Sequence, residues 1–344
     1  MHFLVTGAAG LIGGAVVKQL VANGHSVVAL VRDSTEIRGN CGTLIQTSEF
    51  EGKEPSAGEV CIVKGDVGKH DCGLIHQTIL ALSARVDCVI HCAALVKFEA
   101  EYKDLYAVNV VGTRNVARTF PKARLVHVST AYSCGITDGE IAERPHCDGG
   151  RFANGYERSK ALAERELLKL RPDAVIARPS IVVGEHENGR IRDFDNIYRV
   201  FKFIAEGRIK TIPTTAQATF NFVPIDHVVE GIVALALTDR EGPIVAQLAA
   251  RTAIPAQRFL QLIEDIPGLS CPQIVKPSGA EQFSETGMAQ RLVRPYWSYF
   301  ARSPQFATKV MDTLLGRPSP EMDDAAFLRQ IQYCVDAGFI QPRA

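Results

Sequence analysis

The chain has 344 residues, 46% of them hydrophobic, and 38 basic against 38 acidic side chains. A formal charge of zero lacks the positive surplus that binding to a phosphate backbone draws on, so no nucleic-acid partner is expected. The length suits about two domains, or one domain with an elaborated lobe.

Nine cysteines, with no CxxC pair among them, are too sparse for a disulfide framework. They read as reduced thiols packed as small hydrophobes, so a reducing, cytoplasmic setting and no metal are expected. Residues 1–17 carry no Lys, Arg, Asp or Glu. They lack the basic start of a signal peptide, and Gly7, Gly10, Gly13 and Gly14 interrupt them, so neither targeting nor a membrane span is expected.

In chain order, residues 1–5 form an apolar run that Thr6-Gly7-Ala8-Ala9-Gly10-Leu11-Ile12-Gly13-Gly14 breaks. Ile12, Val16, Val17 and Leu20 then recur at helical spacing, which predicts strand, glycine loop, helix. Apolar runs at 26–31, 60–63, 86–92, 125–128 and 174–177 predict five more strands, with helices at 105–120 and 159–170 between them. Near-continuous hydrophobic strands alternating with helices predict an α/β fold, a Rossmann-type doubly wound parallel sheet. Residues 185–220 read as polar and irregular. The strand 222–225 and helix 226–237 look like a return to the sheet, and amphipathic helices follow at 256–265 and 322–337. The expected division is a cofactor-binding domain over 1–184, rejoined by 221–250. A smaller, mainly helical substrate lobe would take 185–220 and 251–344.

Gly7, Gly10 and Gly13 stand after a strand and at a helix start, where backbone N–H groups and the helix dipole suit a pyrophosphate. Arg32 is the first residue past the second strand, where a guanidinium suits a ribose 2′-phosphate, so NADP(H) is expected over NAD(H). Asp33 follows it and keeps NAD open. Asp66 and Val67 close the third strand, placed either to contact an adenine or to make a simple turn.

Tyr156 and Lys160 form a YxxxK pair, four residues apart on one helix face. The ammonium is expected to lower the phenol toward a useful proton donor. A hydroxyl at the end of the fifth strand, Ser129 or Thr130, would sit where open α/β sheets bind ligands and could polarise a carbonyl.

Together with Asn109 in Val108-Asn109-Val110-Val111-Gly112-Thr113, these residues resemble an extended short-chain dehydrogenase/reductase over roughly 1–250. The resemblance implies hydride transfer with Thr130 polarising the carbonyl and Tyr156 donating the proton. Lys160 would hold the nicotinamide ribose and tune Tyr156, and Asn109 would support a proton-relay water. It further implies cofactor contacts from Ala9, Leu11 and Ile12 in the glycine loop and from Ala93 and Ala94 after the fourth strand. Pro179 and Ser180, in Arg178-Pro179-Ser180-Ile181-Val182-Val183-Gly184, would lie along the nicotinamide.

Residues 91–98 (His91-Cys92-Ala93-Ala94-Leu95-Val96-Lys97-Phe98), Ser129-Thr130-Ala131-Tyr132 and Asn221-Phe222-Val223-Pro224 resemble fatty acyl-CoA reductases and thioester reductase domains. That branch implies an acyl thioester substrate, free or carrier-bound, reduced to an aldehyde and sometimes to an alcohol. A ketone or hydroxysteroid-like reductase, a sugar-nucleotide epimerase and a non-catalytic NADP-sensing regulator are the alternatives; a homodimer stays open. Tyr296, Trp297, Tyr299, Phe300 and Phe306 read as an acyl tunnel or as helix packing, and Arg291, Arg294 and Arg302 as solvated surface. His146-Cys147 is a weak nucleophile pair, and His227 a structural histidine.

Overall fold

The computed structural model describes residues 1–53, 55–146, 150–240, 242–276 and 294–343. Its centre is an eight-stranded sheet in the order Ile244–Leu248, Val175–Pro179, Arg124–Val128, Cys88–His91, His2–Thr6, Ser26–Val31, Val60–Lys64, Ser48–Glu49. Every neighbouring pair is parallel. Parallel strands need covered faces, and the alternation in the first strand shows both covers. Phe3 and Val5 pack with Val16, Leu20 and Val228 on one side. Leu4 packs with Val116, Phe120 and Leu167 on the other.

The strand His2–Thr6 lies between Ser26–Val31 and Cys88–His91, so the chain winds outward one way and then the other from it. This reversal leaves a crevice at the C-terminal ends of His2–Thr6 and Cys88–His91, the place where such sheets bind ligands. The expected helix over 105–120 is three segments: an α-turn Tyr102–Leu105, a π-helix Tyr106–Val111 and an α-helix Gly112–Thr119.

Two expectations are corrected. Residues 185–220 are not irregular throughout, because Ile197–Ala205 is a helix. Its apolar residues Ile197, Val200, Phe201 and Ile204 do recur at helical spacing, but only nine residues stand between polar flanks. The strand Phe222–Pro224 pairs with Ile181–Val183 in a separate two-stranded sheet; Ile244–Leu248 makes the return to the main one. A third core sits beyond the sheet, where Phe201, Phe220, Phe222, Phe259, Phe300 and Phe327 pack together. No helix among the described residues is long and apolar enough to cross a membrane.

Candidate active site

A cavity of about 410 Å³ occupies the crevice. Its floor at one end is the glycine loop, through Gly7, Gly10, Leu11, Ile12 and Gly13. Gly7 (φ +69°) must be glycine, since a Cβ there would fall 2.6 Å from the Ala93 nitrogen. A Cβ on Gly13 would fall 2.2 Å from the Gly7 carbonyl oxygen. The helix Leu11–Ala22 starts at Gly10 with no side-chain cap and no acidic residue in its first turn. Its first N–H groups therefore lack side-chain partners beside the cavity, which fits the pyrophosphate of a dinucleotide.

The strand Arg124–Val128 delivers Ser129 and Thr130 to the cavity, and hydrogen bonding separates their roles. Ser129 Oγ donates to Glu164, whose carboxylate also takes Arg178 Nη2 at 2.5 Å and Nε at 3.0 Å. Arg178 and Glu164 are both buried, so this ion pair braces strand Val175–Pro179 against the helix Gly155–Leu170. Burial pushes the Glu164 carboxyl up, but the Arg178 charge and the bonds from Arg178 and Ser129 hold it below its ordinary value. Thr130 Oγ1 accepts from the Tyr132 N–H at 3.3 Å, capping a 3-10 turn. No hydrogen bond from its own proton is made to a described residue. Thr130→Ala is therefore expected to cut kcat about a hundred- to a thousandfold, as losing one oxyanion donor does. Ser129→Ala should lower thermal stability and change kcat far less; steady-state rates with melting curves check both.

The helix carrying Tyr156 and Lys160 starts at Asn154, whose Oδ1 accepts from the Glu157 N–H at 2.9 Å, while Glu157 Oε2 takes the Ala153 N–H. This reciprocal cap fixes the turn that holds Tyr156 on the cavity wall. Lys160 is 1% exposed and does not line the cavity. Its Nζ donates to the Val128 carbonyl at 2.8 Å and to His127 Nε2 at 3.2 Å. The expected lowering of the phenol is thus corrected. Burial and then the Glu157 charge push Tyr156 up, and the ammonium is engaged on the strand. Burial pulls Lys160 down to about 8.

Asn109, in the π-helix, is fully committed. Its Oδ1 accepts from the Leu95 N–H at 2.8 Å, and Nδ2 donates to the Leu95 carbonyl and to Ser159 Oγ. It therefore ties the cavity-lining segment after Cys88–His91 to the Tyr156 helix.

Phe98 stacks on Tyr156 (5.7 Å between centroids) and meets Tyr296 at 4.8 Å, making an aromatic wall. The aromatic cluster divides: Tyr296 and Tyr299 line the cavity, whereas Phe300 and Phe306 are in the core. Arg302 is not solvated surface. It is buried between the rings of Tyr132 and Tyr299, and its Nη2 meets Glu157 at 2.5 Å. Arg302 thereby grips the residue next to Tyr156.

Of the expected cofactor contacts, Ala94, Pro179 and Ser180 also line the cavity. Ser180 Oγ donates to Asn221 Oδ1 at 2.7 Å. Ala93 N donates to Thr6 Oγ1, and the Ala9 carbonyl accepts from Arg192 Nη2 at 3.4 Å. Arg32 is 64% exposed and meets Asp33 at 2.8 Å. Asp66 Oδ1 accepts from the Gly68 N–H and Val67 is buried, the geometry of the simple turn. Cys88 is buried, and Cys92 lines the cavity. His146 Nε2 lies 3.1 Å from Ser133 Oγ; Cys147 and Arg291, like the Arg294 side chain, lie outside the described residues. His227 is a buried helix residue, pulled down to about 4 by burial.

The sequence reading missed a strap over the glycine loop. Arg192 donates to the Arg38 carbonyl at 2.6 Å, and Asn40 bonds Glu185, Arg190 and Arg192. Ile191, Asp193 and Tyr198 of that region line the cavity.

The profile of the family described as "Male sterility protein" matches residues 5–232. The chain is 26% identical over 309 residues to Hybrid PKS-NRPS synthetase pydA of Acremonium sp, covering 85% of this chain and only 7% of that protein. It is 27% identical over 288 residues to Sterol demethylase protein B of Methylococcus capsulatus, covering 80% of this chain and 78% of the relative. The terminal R domain from the myxalamid PKS-NRPS biosynthetic pathway has the same fold. It superposes with a TM-score of 0.82 at 22% identity, over 100% of this chain and 92% of that one.

Proposed function

We propose that this chain, which belongs to the male sterility protein family of NAD(P)-dependent oxidoreductases of the extended short-chain dehydrogenase/reductase type, reduces a thioester carbonyl with NADPH. The substrate would be an acyl thioester on CoA or a carrier protein, or the derived aldehyde. One observation carries the reading: the Thr130 hydroxyl and the Tyr156 phenol share one aromatic-walled cavity with the glycine loop.

A bound reduced nicotinamide would supply the hydride to the carbonyl carbon. The Thr130 hydroxyl donates to the carbonyl oxygen and stabilises the charge that develops there. Tyr156, held by the Asn154 cap, gives that oxygen its proton and leaves a thiohemiacetal, which expels the thiol to form the aldehyde. The high phenol suits a donor that stays protonated until the oxygen takes up charge. Phe98, Tyr296 and Tyr299 exclude water from the reacting carbon. Lys160, which stands behind the cavity wall, would reach the nicotinamide ribose only with the N–H not spent on the strand. Asn109, with its amide fully engaged, positions the wall; a water-relay role would fall to the backbone around it.

Arg32 would take the 2′-phosphate. Its exposed pair with Asp33 is worth about 0–1 kcal/mol, little to give up when a phosphate arrives. Arg32→Ala is expected to weaken NADPH about tenfold or more while leaving NADH nearly unchanged. Fluorescence titration with each cofactor checks this, and an equal loss for both would remove the assignment.

A second reading, a ketone or hydroxysteroid-like reductase, draws on the relative of matching length, the Methylococcus capsulatus protein named for sterol demethylation. Consumption of NADPH against a panel of acyl-CoAs, acyl carrier proteins, aldehydes and ketosteroids separates the two. Turnover of ketosteroids alone would favour the second.

A further inference from the structure

Lys160 has three N–H donors, and the strand Arg124–Val128 takes two of them. One acceptor is a backbone carbonyl that any residue would provide. The other is the imidazole of His127, fully buried, two residues before Ser129. An ammonium has no lone pair, so Lys160 is the donor and Nε2 the acceptor, which places the imidazole proton on Nδ1. That Nδ1 is buried and has no hydrogen-bond partner among the described residues. A buried N–H without a partner costs stability, so the imidazole is not explained by packing alone; what it supplies is the acceptor at Nε2. The imidazole is also held neutral, by burial first and then by the Lys160 and His91 charges, so it accepts throughout the ordinary pH range.

We propose that His127 is a positioning residue: its Nε2 fixes the direction of the Lys160 ammonium so that the one remaining N–H serves the ligand. Two acceptors on one side of a tetrahedral ammonium set the direction of the third bond. With the carbonyl alone, the group would rotate about that single contact. The role rests on the reductase reading for its kinetic consequence, but the His127–Lys160 bond does not.

The groups facing Lys160 are His127 on its strand, His91 and Cys92 on the neighbouring strand and its end, and Glu164 one turn along its own helix. Removing the His127 acceptor takes a bond from the charged form, so the Lys160 ammonium loses its proton at lower pH.

The test uses the full-length protein in two arms. In the first, nitrogen-15 histidine NMR should show His127 as the Nδ1–H tautomer, and Lys160→Met should move its Nε2 resonance. In the second, rates with NADPH and octanoyl-CoA or octanal are followed against pH. His127→Leu should lower kcat about tenfold and move the alkaline limb to lower pH while the melting temperature changes little, the removed Nδ1–H cost offsetting the Lys160 donor left unpaired. His127→Gln, whose amide oxygen can accept in place of Nε2, should restore most of the rate and the parent profile. An Nε2 resonance indifferent to Lys160→Met overturns the proposal, whatever the rates. So does a Leu variant with the parent's kcat and profile, or Leu and Gln variants impaired alike in step with their melting temperatures. If the parent reduces neither probe while the NMR arm holds, octanoyl-CoA and octanal fail as substrates and the positioning pair stands.

Discussion

Tyr156→Phe is expected to lower turnover about a hundred- to ten-thousandfold while leaving cofactor affinity nearly unchanged. That range is what a positioned general acid contributes. The change removes one oxygen from a ring that keeps its stacking on Phe98, so the wall and the cap at Asn154 should survive. Burial holds the phenol protonated, so no loss of rate from tyrosine deprotonation is expected at the ordinary tyrosine value of about 10. Stopped-flow rates, with cofactor binding read separately by fluorescence, divide chemistry from binding. An undiminished rate would remove Tyr156 from the mechanism.

Arg178→Met is expected to destabilise the fold by about 3–5 kcal/mol, because it leaves the Glu164 carboxylate buried without its partner. Glu164→Gln leaves the Arg178 guanidinium buried without its counter-charge and should cost a similar amount, the amide oxygen still accepting one hydrogen bond. The double variant should fall short of the sum of the single changes, as contacting residues do. The pH dependence follows from the Glu164 carboxyl, which lies below its ordinary value in the folded chain. Its contribution is present above the unfolded carboxylate value and is lost as the pH falls through the folded one. Chemical denaturation of the parent should weaken on acidification, and the Glu164→Gln profile should be flatter. Parallel profiles would show that this carboxylate does not govern the acid limb.

What could be read from residues alone follows how local each feature is. The glycine loop declares itself because strand, turn and helix are contiguous, and Gly7 and Gly13 are required by contacts within or beside that loop. Tyr156, Thr130 and Ser180 were legible for the same reason: each stands at a strand end or a helix start that periodicity locates. The partners were not legible. Arg302 reaches Glu157 across 145 residues, and Arg192 reaches Ala9 across 183. Nothing in the spacing tells an arginine on the surface from one closed between Tyr132 and Tyr299. Lys160 shows the limit most clearly. The YxxxK spacing puts both side chains on one helix face, but only the packed strand shows that the ammonium is engaged by His127 and Val128. The helix Ile197–Ala205 is hard to read because its short apolar stripe lies between polar flanks, although Ile197 and Tyr198 end on the cavity wall.

The most direct test of carbonyl reduction is transfer of label from NADPH carrying deuterium at both C4 positions of the nicotinamide to octanoyl-CoA in a single turnover, with the products trapped and weighed by mass spectrometry. One deuterium at C1 of octanal, with one free CoA thiol released per NADPH consumed, is the predicted result. Unlabelled products, or no oxidation of NADPH by any thioester or aldehyde while a sugar nucleotide is epimerised on retained cofactor, would contradict it.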